Sequence, residues 1–135
     1  MEPLERRKRI LVVDDEAPLA RTLKMRLEGI GYEVLTAATG REALTYTAEC
    51  QLDLVVLDVN LPDMNGYQVA RELRRIHHPW ALPILMLTVK DKPIDQLRGF
   101  AHGADAYLTK PFESTELFQA VALLTGEIAA GHSGF

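Results

Sequence analysis

Two short apolar runs in this sequence end in carboxylates. Residues 10–13 (ILVV) are followed by Asp14 and Asp15, and residues 54–57 (LVVL) are followed by Asp58. Branched apolar runs of this length are typical of strands buried on both faces of a parallel sheet. Open α/β folds bind their ligands at the carboxyl edge of such a sheet. The pattern therefore predicts a shared acidic site at one sheet edge.

A hydroxyl and an ammonium group occupy equivalent places later in the chain. Thr88 follows the run at 84–87 (ILML), and Lys110 follows the run at 107–109 (YLT). In a sheet of strand order 2-1-3-4-5, the ends of these strands are neighbours of the acidic strand ends. The sequence therefore predicts a shallow cleft in which the carboxylates, the hydroxyl and the ammonium meet.

A cluster of carboxylates of this kind favours a bound divalent cation, because the acids otherwise repel one another. Oxygen ligands with room for water and a phosphate oxygen suit Mg²⁺, whereas zinc prefers nitrogen and sulfur. We expect Asp15, Asp58 and the backbone carbonyl of Asn60 to bind Mg²⁺ directly. Asp14 is expected to act through bound water.

Asp58 is the central acid of this set, between the metal and Lys110, and a carboxylate can attack phosphorus. Phosphoryl transfer depends on positioning and charge neutralisation, which the metal and Lys110 would supply. Thr88 would donate a hydrogen bond to a phosphoryl oxygen. No glycine-rich GxxxxGK[ST] loop is present, so we expect no bound nucleotide. These residues predict phosphorylation at Asp58, with Thr88 and Lys110 as the catalytic partners.

The strands and helices needed to position these residues alternate five times along the chain. The pattern predicts one (βα)5 domain, a doubly wound α/β sandwich with a five-stranded parallel sheet. Its crossovers should be right-handed, and Ser114 is expected to cap the last helix. The predicted strands lie at about 9–13, 32–37, 53–58, 82–88 and 105–108, and the predicted helices at about 16–29, 40–49, 66–77, 93–102 and 114–125.

Length and composition are consistent with this architecture. The 135 residues fit one domain at 9–127, with an N-terminal arm at 1–8 and a tail or the start of a linker at 128–135. The net charge of -4 leaves no basic footprint for nucleic acid. No segment is apolar enough for a membrane span or a signal peptide, and the single cysteine suits a reducing cytoplasm. We expect a cytoplasmic domain that binds neither nucleic acid nor membrane.

Four stretches of the sequence, in family order and at family spacing, resemble the receiver domain of two-component response regulators. The resemblance covers about residues 8–127, and the matching stretches are 10–16 (ILVVDDE), 53–58 (DLVVLD), 61–66 (LPDMNG) and 103–112 (GADAYLTKPF), of which the last is the most specific. It implies the flavodoxin-like fold with strand order 2-1-3-4-5 and a dependence on Mg²⁺. It also implies that Asp58 accepts a phosphoryl group from a histidine kinase or a histidine phosphotransfer protein.

The resemblance also implies a switch. Thr88 and Tyr107 look like the family's switch pair, Lys110 looks like its invariant lysine, and the Lys110–Pro111 bond should be cis. Phosphorylation would draw Thr88 toward the phosphoryl group and let Tyr107 move into the vacated space. The face formed by the fourth helix, the fifth strand and the fifth helix would then change. We expect that face to bind a downstream effector, a fused output domain or, after phosphorylation, a second copy of the chain.

One position beside the site departs from the family's commonest pattern. Val89 stands where Ala, Gly or Ser is usual, and its stiff β-branched side chain would narrow the access to Asp58. Asn60 and Lys90 each lie two residues beyond a site residue. We expect these two residues to set the rate at which the phosphoryl group is lost to water.

Two other functions are alternatives at this point. A Mg²⁺-dependent phosphatase similar to the haloacid dehalogenases would also use an aspartyl-phosphate, but such enzymes usually carry Asp-x-Asp on the first strand and a cap over the site. Here Asp14 and Asp15 are adjacent, and 135 residues leave no room for a cap. A receiver-like module that is never phosphorylated is disfavoured by the complete set of site residues. We expect a switch, not an enzyme, that catalyses only its own phosphorylation and slow dephosphorylation.

Overall fold

The computed structural model describes residues 7–78, 81–89 and 103–127. The predicted fourth helix (93–102), Lys90 and the predicted tail (128–135) lie outside the described residues, as does most of the predicted N-terminal arm. The strands are β1 (Arg9–Val13), β2 (Glu33–Ala37), β3 (Leu54–Asp58), β4 (Ile84–Val89) and β5 (Ala106–Lys110). The helices are α1 (Ala17–Gly29), α2 (Gly40–Glu49), α3 (Gly66–Ile76) and α4 (Ser114–Leu124), of which α4 corresponds to the fifth predicted helix.

The five strands form one parallel sheet in the order β2-β1-β3-β4-β5, which confirms the predicted fold class. The register places the carboxyl ends of the central strands level with one another. Val13 in β1 pairs with Leu57 in β3, and Asp58 pairs with Leu87 in β4. Side chains that follow Val13, Leu57 and Leu87 therefore meet at the same edge of the sheet.

The sheet is buried on both faces, as the unbroken apolar runs predict. Leu11 and Leu57 belong to the core cluster on the side of α2 and α3, whereas Val12 and Val56 belong to the cluster on the side of α1 and α4. Every residue of β3 is buried. Because burying each such side chain contributes about 1.5–3 kcal/mol, the strand that ends in Asp58 is firmly held.

The last two strands run further than predicted. β4 continues to Val89 and β5 continues to Lys110, and these two residues pair with each other. Val89 and Lys110 are therefore the terminal residues of strands, whereas the sequence pattern ended both strands earlier. The backbone of Lys110 is fixed by the sheet rather than by a loop.

The helix α4 begins at Ser114 as predicted, but its N-cap lies one residue earlier than predicted. Glu113 is the N-cap, because its backbone N–H donates to Glu116 Oε1 at 2.9 Å. Ser114 is the first helical residue, and its hydroxyl accepts a hydrogen bond from Arg26 of α1. The predicted Ser114 cap is therefore wrong, and the serine links α4 to α1 instead. None of the helices described is both long and apolar enough for a membrane span.

Candidate functional site

Asp14, Asp15 and Asp58 come together at the carboxyl edge of the sheet. Each carboxylate places an oxygen within 4.8 Å of the others, which is close enough for all of them to hold one metal ion. Asp14 and Asp58 are buried, whereas Asp15 is exposed. The structure thus brings together the three acids that the strand ends predicted.

Lys110 reaches this acidic cluster from β5. Its Nζ donates hydrogen bonds to Asp58 Oδ1 at 2.9 Å and to Asp14 Oδ2 at 3.3 Å. Glu16 Oε1 lies 3.7 Å from the same nitrogen. The Lys110–Pro111 bond is cis, as predicted. One ammonium group therefore bridges the two buried carboxylates.

The charges in this cluster do not balance. Burial raises the pKa of Asp58 above its ordinary value, and Asp14 adds to the rise, although hydrogen bonding to Lys110 opposes it. Burial alone would lower the pKa of Lys110, but Asp58 and Asp14 together outweigh it, and the pKa is raised. The pKa of Asp58 thus rises mainly because the acid is buried, whereas the pKa of Lys110 rises because its ammonium faces two carboxylates. Three ionised acids and one ammonium leave two negative charges, which a divalent cation would neutralise.

Asp14 and Asp15 differ in burial and in the hydrogen bonds that their carboxylates accept from the protein. Asp14 Oδ1 accepts from the backbone N–H of Glu16 at 2.9 Å, and Oδ2 accepts from Lys110. Asp15 is the exposed member of the cluster. The direct ligation by Asp15 and the water-mediated role of Asp14 stay predictions.

The loop between β3 and α3 folds back on itself beside Asp58. The backbone N–H of Gly66 donates to the carbonyl of Val59 at 2.7 Å, and Asn60 forms an antiparallel bridge with Asn65. A side chain at Gly66 would overlap the backbone carbonyl of Asp58, so only glycine allows this close approach. The loop therefore holds the backbone of Asn60, the third predicted metal ligand, close to the acids.

Thr88 and Val89 occupy the end of β4, the strand next to β3. Thr88 is buried, whereas Val89 is half exposed and lines the same cleft as Asp58. The cleft has a volume of about 400 Å³ and is lined by Asp15, Glu16, Asp58, Asn60, Leu61, Pro62, Val89 and Lys110. Val89 therefore lies at the cleft, where the sequence predicts that it narrows access.

Tyr107, the other member of the predicted switch pair, lies within β5. It pairs with Met86, two residues before Thr88 in β4, and it packs against the core cluster on the side of α2 and α3. Tyr107 is partly buried and Thr88 is buried. The two residues thus lie on adjacent strands, and their role as a switch remains a prediction.

Asp63 was not identified as a functional residue from the sequence, where it reads only as a loop former. Its carboxylate accepts hydrogen bonds from the backbone N–H groups of Gly40 and Arg41, which lower its pKa. Gly40 lies 23 residues away in the chain, so local spacing gives no signal for this contact. Glu16 was missed as well, although its place directly after the acid pair could have indicated that it lines the cleft.

Comparison with known proteins agrees with this geometry. The model for the response regulator receiver domain matches residues 10–122. The chain belongs to this family. Receiver domains are signalling switches. The alkaline phosphatase synthesis transcriptional regulatory protein PhoP of Bacillus subtilis is 45% identical over 128 residues, which are 93% of this chain and 52% of that protein. The chain spans about half the length of the curated relatives it matches.

Solved structures of receiver domains share this fold. The chemotaxis response regulator CheY4 of Vibrio cholerae has a TM-score of 0.82 and 34% identity, over 88% of this chain and 99% of that chain. The receiver domain of the sensor histidine kinase PA1611 of Pseudomonas aeruginosa has a TM-score of 0.81 and 28% identity, over 90% of this chain and 99% of that chain. That structure has a magnesium ion coordinated in the active site cleft. The predicted fold and family are therefore confirmed.

Proposed function

We propose that Asp58 is the phosphoryl acceptor of this receiver domain and that a histidine kinase or a histidine phosphotransfer protein is the donor. The observation that carries this proposal is the position of Asp58. Its carboxylate lies at an open cleft, 2.9 Å from the Lys110 ammonium and within 4.8 Å of two further acids. Asp14 also contacts Lys110, but of the three clustered acids Asp58 is the one that both contacts this lysine and lines the open cleft.

In the transfer, a carboxylate oxygen of Asp58 attacks phosphorus as the phosphorus–nitrogen bond to the donor's imidazole breaks. The imidazole keeps the electron pair of that bond and takes a proton from solvent. Lys110 is placed to neutralise charge on the phosphoryl group, and the Thr88 hydroxyl would donate to one of its oxygens. The chemistry needs no deprotonated hydroxyl or thiol, because an ionised carboxylate is already a nucleophile.

We assign Mg²⁺ to the acidic cluster. Asp15, Asp58 and the backbone carbonyl of Asn60 would hold the ion directly, and Asp14 would hold it through water. The donors are all oxygens, they carry surplus negative charge, and the PA1611 receiver domain binds magnesium in its active site cleft. When bound, the ion would neutralise charge on the phosphoryl oxygens.

We propose that phosphorylation acts through Thr88 and Tyr107 on the face made by the predicted fourth helix (93–102), β5 and α4. The change is a shift between two packings of that face. A downstream effector, a fused output domain or a second phosphorylated copy would read it. PhoP is named a transcriptional regulatory protein and is about twice as long as this chain, which supports a fused output domain.

The remaining assignments rest on the family. We propose that residues 9–127 form the receiver domain, with 1–8 as an arm and 128–135 as a tail or the start of a linker, since the family match covers 10–122. A histidine kinase partner would place the chain in the cytoplasm. We propose that its only catalysis is its own phosphorylation and slow dephosphorylation.

The proposal is tested by incubating the chain with acetyl phosphate and Mg²⁺ and measuring its intact mass. One phosphoryl group should be added to the parent and none to Asp58→Asn. Asp53 immediately precedes β3, at the opposite end of that strand from Asp58. Asp53→Asn is therefore the matched control and should be labelled like the parent. Equal labelling of Asp58→Asn would overturn the assignment. Release of phosphate over many turnovers from a phosphate ester would instead support the phosphatase alternative.

A further inference from the structure

The tip of the loop between β3 and α3 is attached to the first turn of α2. Asp63 Oδ1 accepts from the backbone N–H of Gly40 at 2.8 Å, and Oδ2 accepts from that of Arg41 at 3.0 Å. Both oxygens of one exposed carboxylate are therefore used on a single helix terminus. The N–H groups at the start of a helix lack partners within the helix and carry partial positive charge, so the carboxylate suits them.

A second contact holds the same two segments together. Met64 packs so closely on Gly40 that a Cβ atom at Gly40 would lie 2.5 Å from Met64 Cγ and 2.9 Å from Val69 Cγ2. A glycine at this position thus allows the loop and α3 to approach α2. The loop is thus attached to α2 by the two hydrogen bonds that Asp63 accepts and by the packing of Met64 on Gly40.

The other end of the loop carries a predicted metal ligand. Asn60 and Asn65 form an antiparallel bridge, so the loop between them is closed on itself, with Asp63 near its tip. Leu61 and Pro62, between Asn60 and Asp63, line the cleft that contains Asp58. A movement of the tip would therefore move the wall of the cleft and the backbone of Asn60.

The segment that receives Asp63 also supports the acidic loop on its other side. The backbone N–H of Asp14 donates to the carbonyl of Ala37 at 3.0 Å, three residues before Gly40. The N-cap Thr39 accepts from Glu42 N–H at 3.0 Å, which fixes the first turn of α2. The junction between β2 and α2 thus contacts both loops that carry the proposed metal ligands.

We propose that Asp63 is a positioning residue for the metal site, which holds the loop of Asn60 against α2 so that the loops on both sides of the ion share one support. This inference rests on the proposed function in taking Asn60 and the acids as the Mg²⁺ site. Asp63 is not among the residues that line the cleft, so it would act through the loop and not by contact with the ion or the reacting atoms.

The inference has a reciprocal consequence. If the Asp63 contact strengthens Mg²⁺ binding by some factor, bound Mg²⁺ must strengthen the Asp63 contact by the same factor. We expect a factor of about fivefold, at the lower end of typical coupling between sites. Loss of the contact should raise the dissociation constant for Mg²⁺, and Mg²⁺ should slow the opening of the contact in the parent.

The test uses Mg²⁺ alone, without a phosphodonor. Calorimetric titration would compare the parent with Asp63→Asn, in which the amide nitrogen cannot accept from Arg41 N–H. Glu49→Gln, at the far end of α2, is the control for the loss of one charge. In the parent, amide hydrogen exchange of Gly40 and Arg41 is measured with and without Mg²⁺. The amide of Glu42, which is bonded to Thr39 rather than to Asp63, is the internal reference.

We expect Mg²⁺ to bind more weakly to Asp63→Asn than to the parent, and to bind Glu49→Gln as it binds the parent. In the parent, added Mg²⁺ should slow amide exchange at Gly40 and Arg41 more than it slows exchange at Glu42. Unchanged exchange at both amides would overturn the inference, even if Asp63→Asn failed to fold. A further variant, Asp63→Glu, keeps the negative charge but changes the length of the side chain. If this variant binds Mg²⁺ like the parent while the amides of Gly40 and Arg41 exchange freely, charge alone explains the effect and the inference is overturned. If Asp58 is not phosphorylated but the Mg²⁺ coupling is found, only the proposed function fails.

Discussion

Lys110 Nζ donates a hydrogen bond to Asp58 Oδ1 across 2.9 Å, although β4 lies between the strands that carry these residues. The lysine side chain therefore crosses the end of β4 to reach the acid. It also contacts Asp14, so one cation serves two buried carboxylates. A metal ion held by Asp15 and Asp58 would share Asp58 with Lys110.

The first prediction concerns competition between the two cations. Lys110→Met should bind Mg²⁺ more tightly than the parent, because the ammonium repels the metal ion. One unit charge at about 4 Å contributes about 1 kcal/mol even in water, so we expect roughly fivefold or more. Phosphorylation by acetyl phosphate should nevertheless be slower at saturating Mg²⁺, since the charge on the phosphoryl group loses a partner. Lys8 precedes β1, at the end of that strand away from the acidic cluster. Lys8→Met is therefore the control for the loss of one lysine charge. Weaker Mg²⁺ binding in Lys110→Met would contradict the geometry.

The second prediction concerns stability and pH in the absence of Mg²⁺. Because burial raises the pKa of Asp58 in the folded state, ionising Asp58 disfavours folding. Below the ordinary pKa of 3.8 the acid is protonated in both states and this penalty is absent. As the pH rises from there through the folded pKa, Asp58→Asn should gain stability relative to the parent. Urea unfolding at a series of pH values measures this difference.

A pH-independent difference between Asp58→Asn and the parent would show that the pKa of Asp58 is not raised. Adding Mg²⁺ gives an independent control. The ion should raise the unfolding midpoint of the parent much more than that of Asp58→Asn, because a ligand that binds only the folded state stabilises it.

The third prediction separates the two adjacent acids. Asp15→Ala should weaken Mg²⁺ binding more than Asp14→Ala, because a direct ligand contributes a bond to the ion as well as charge. Asp14→Ala should instead lower the free energy of unfolding, since Glu16 N–H loses its acceptor and Lys110 loses one of its two. Calorimetric titration and urea unfolding of both variants provide the two readouts. The opposite order of Mg²⁺ affinities would exchange the roles of the two acids.

The fourth prediction concerns access to Asp58. Val89 lines the cleft and is half exposed, so Val89→Ala should speed phosphorylation by a small donor. We expect about threefold, which corresponds to about 0.7 kcal/mol in the barrier. Mg²⁺ affinity should stay near that of the parent. Substitution of Asn60 or Lys90 should change the rate of phosphoryl loss instead. No increase in the phosphorylation rate of Val89→Ala would make Val89 a packing residue only.

The acidic edge of the sheet could be predicted because it follows from local pattern. Residues 54–57 are apolar without interruption, which requires burial on both faces, and Asp58 comes directly after them. The same holds for Asp14 after β1. The strand order was then expected from the resemblance, and the register shows these ends level.

Other features depend on contacts that no local pattern records. β5 extends to Lys110 because Val89 offers it a pairing partner on the neighbouring strand, which the sequence of β5 alone does not show. Asp63 finds its donors on a helix 23 residues earlier in the chain. Ser114 is displaced from the cap by the hydrogen bond between Glu113 and Glu116. In each case a tertiary or side-chain contact outweighs the local propensity.

The central claim is that Asp58 carries the phosphoryl group, and chemical trapping tests it most directly. After incubation with acetyl phosphate and Mg²⁺, borohydride reduces an aspartyl-phosphate to homoserine, which mass spectrometry of the peptides locates. The account predicts homoserine at position 58 alone, and none when Mg²⁺ is removed by a chelator. Homoserine at position 14, 15 or 53, or its absence from a chain that binds Mg²⁺ normally, would contradict it.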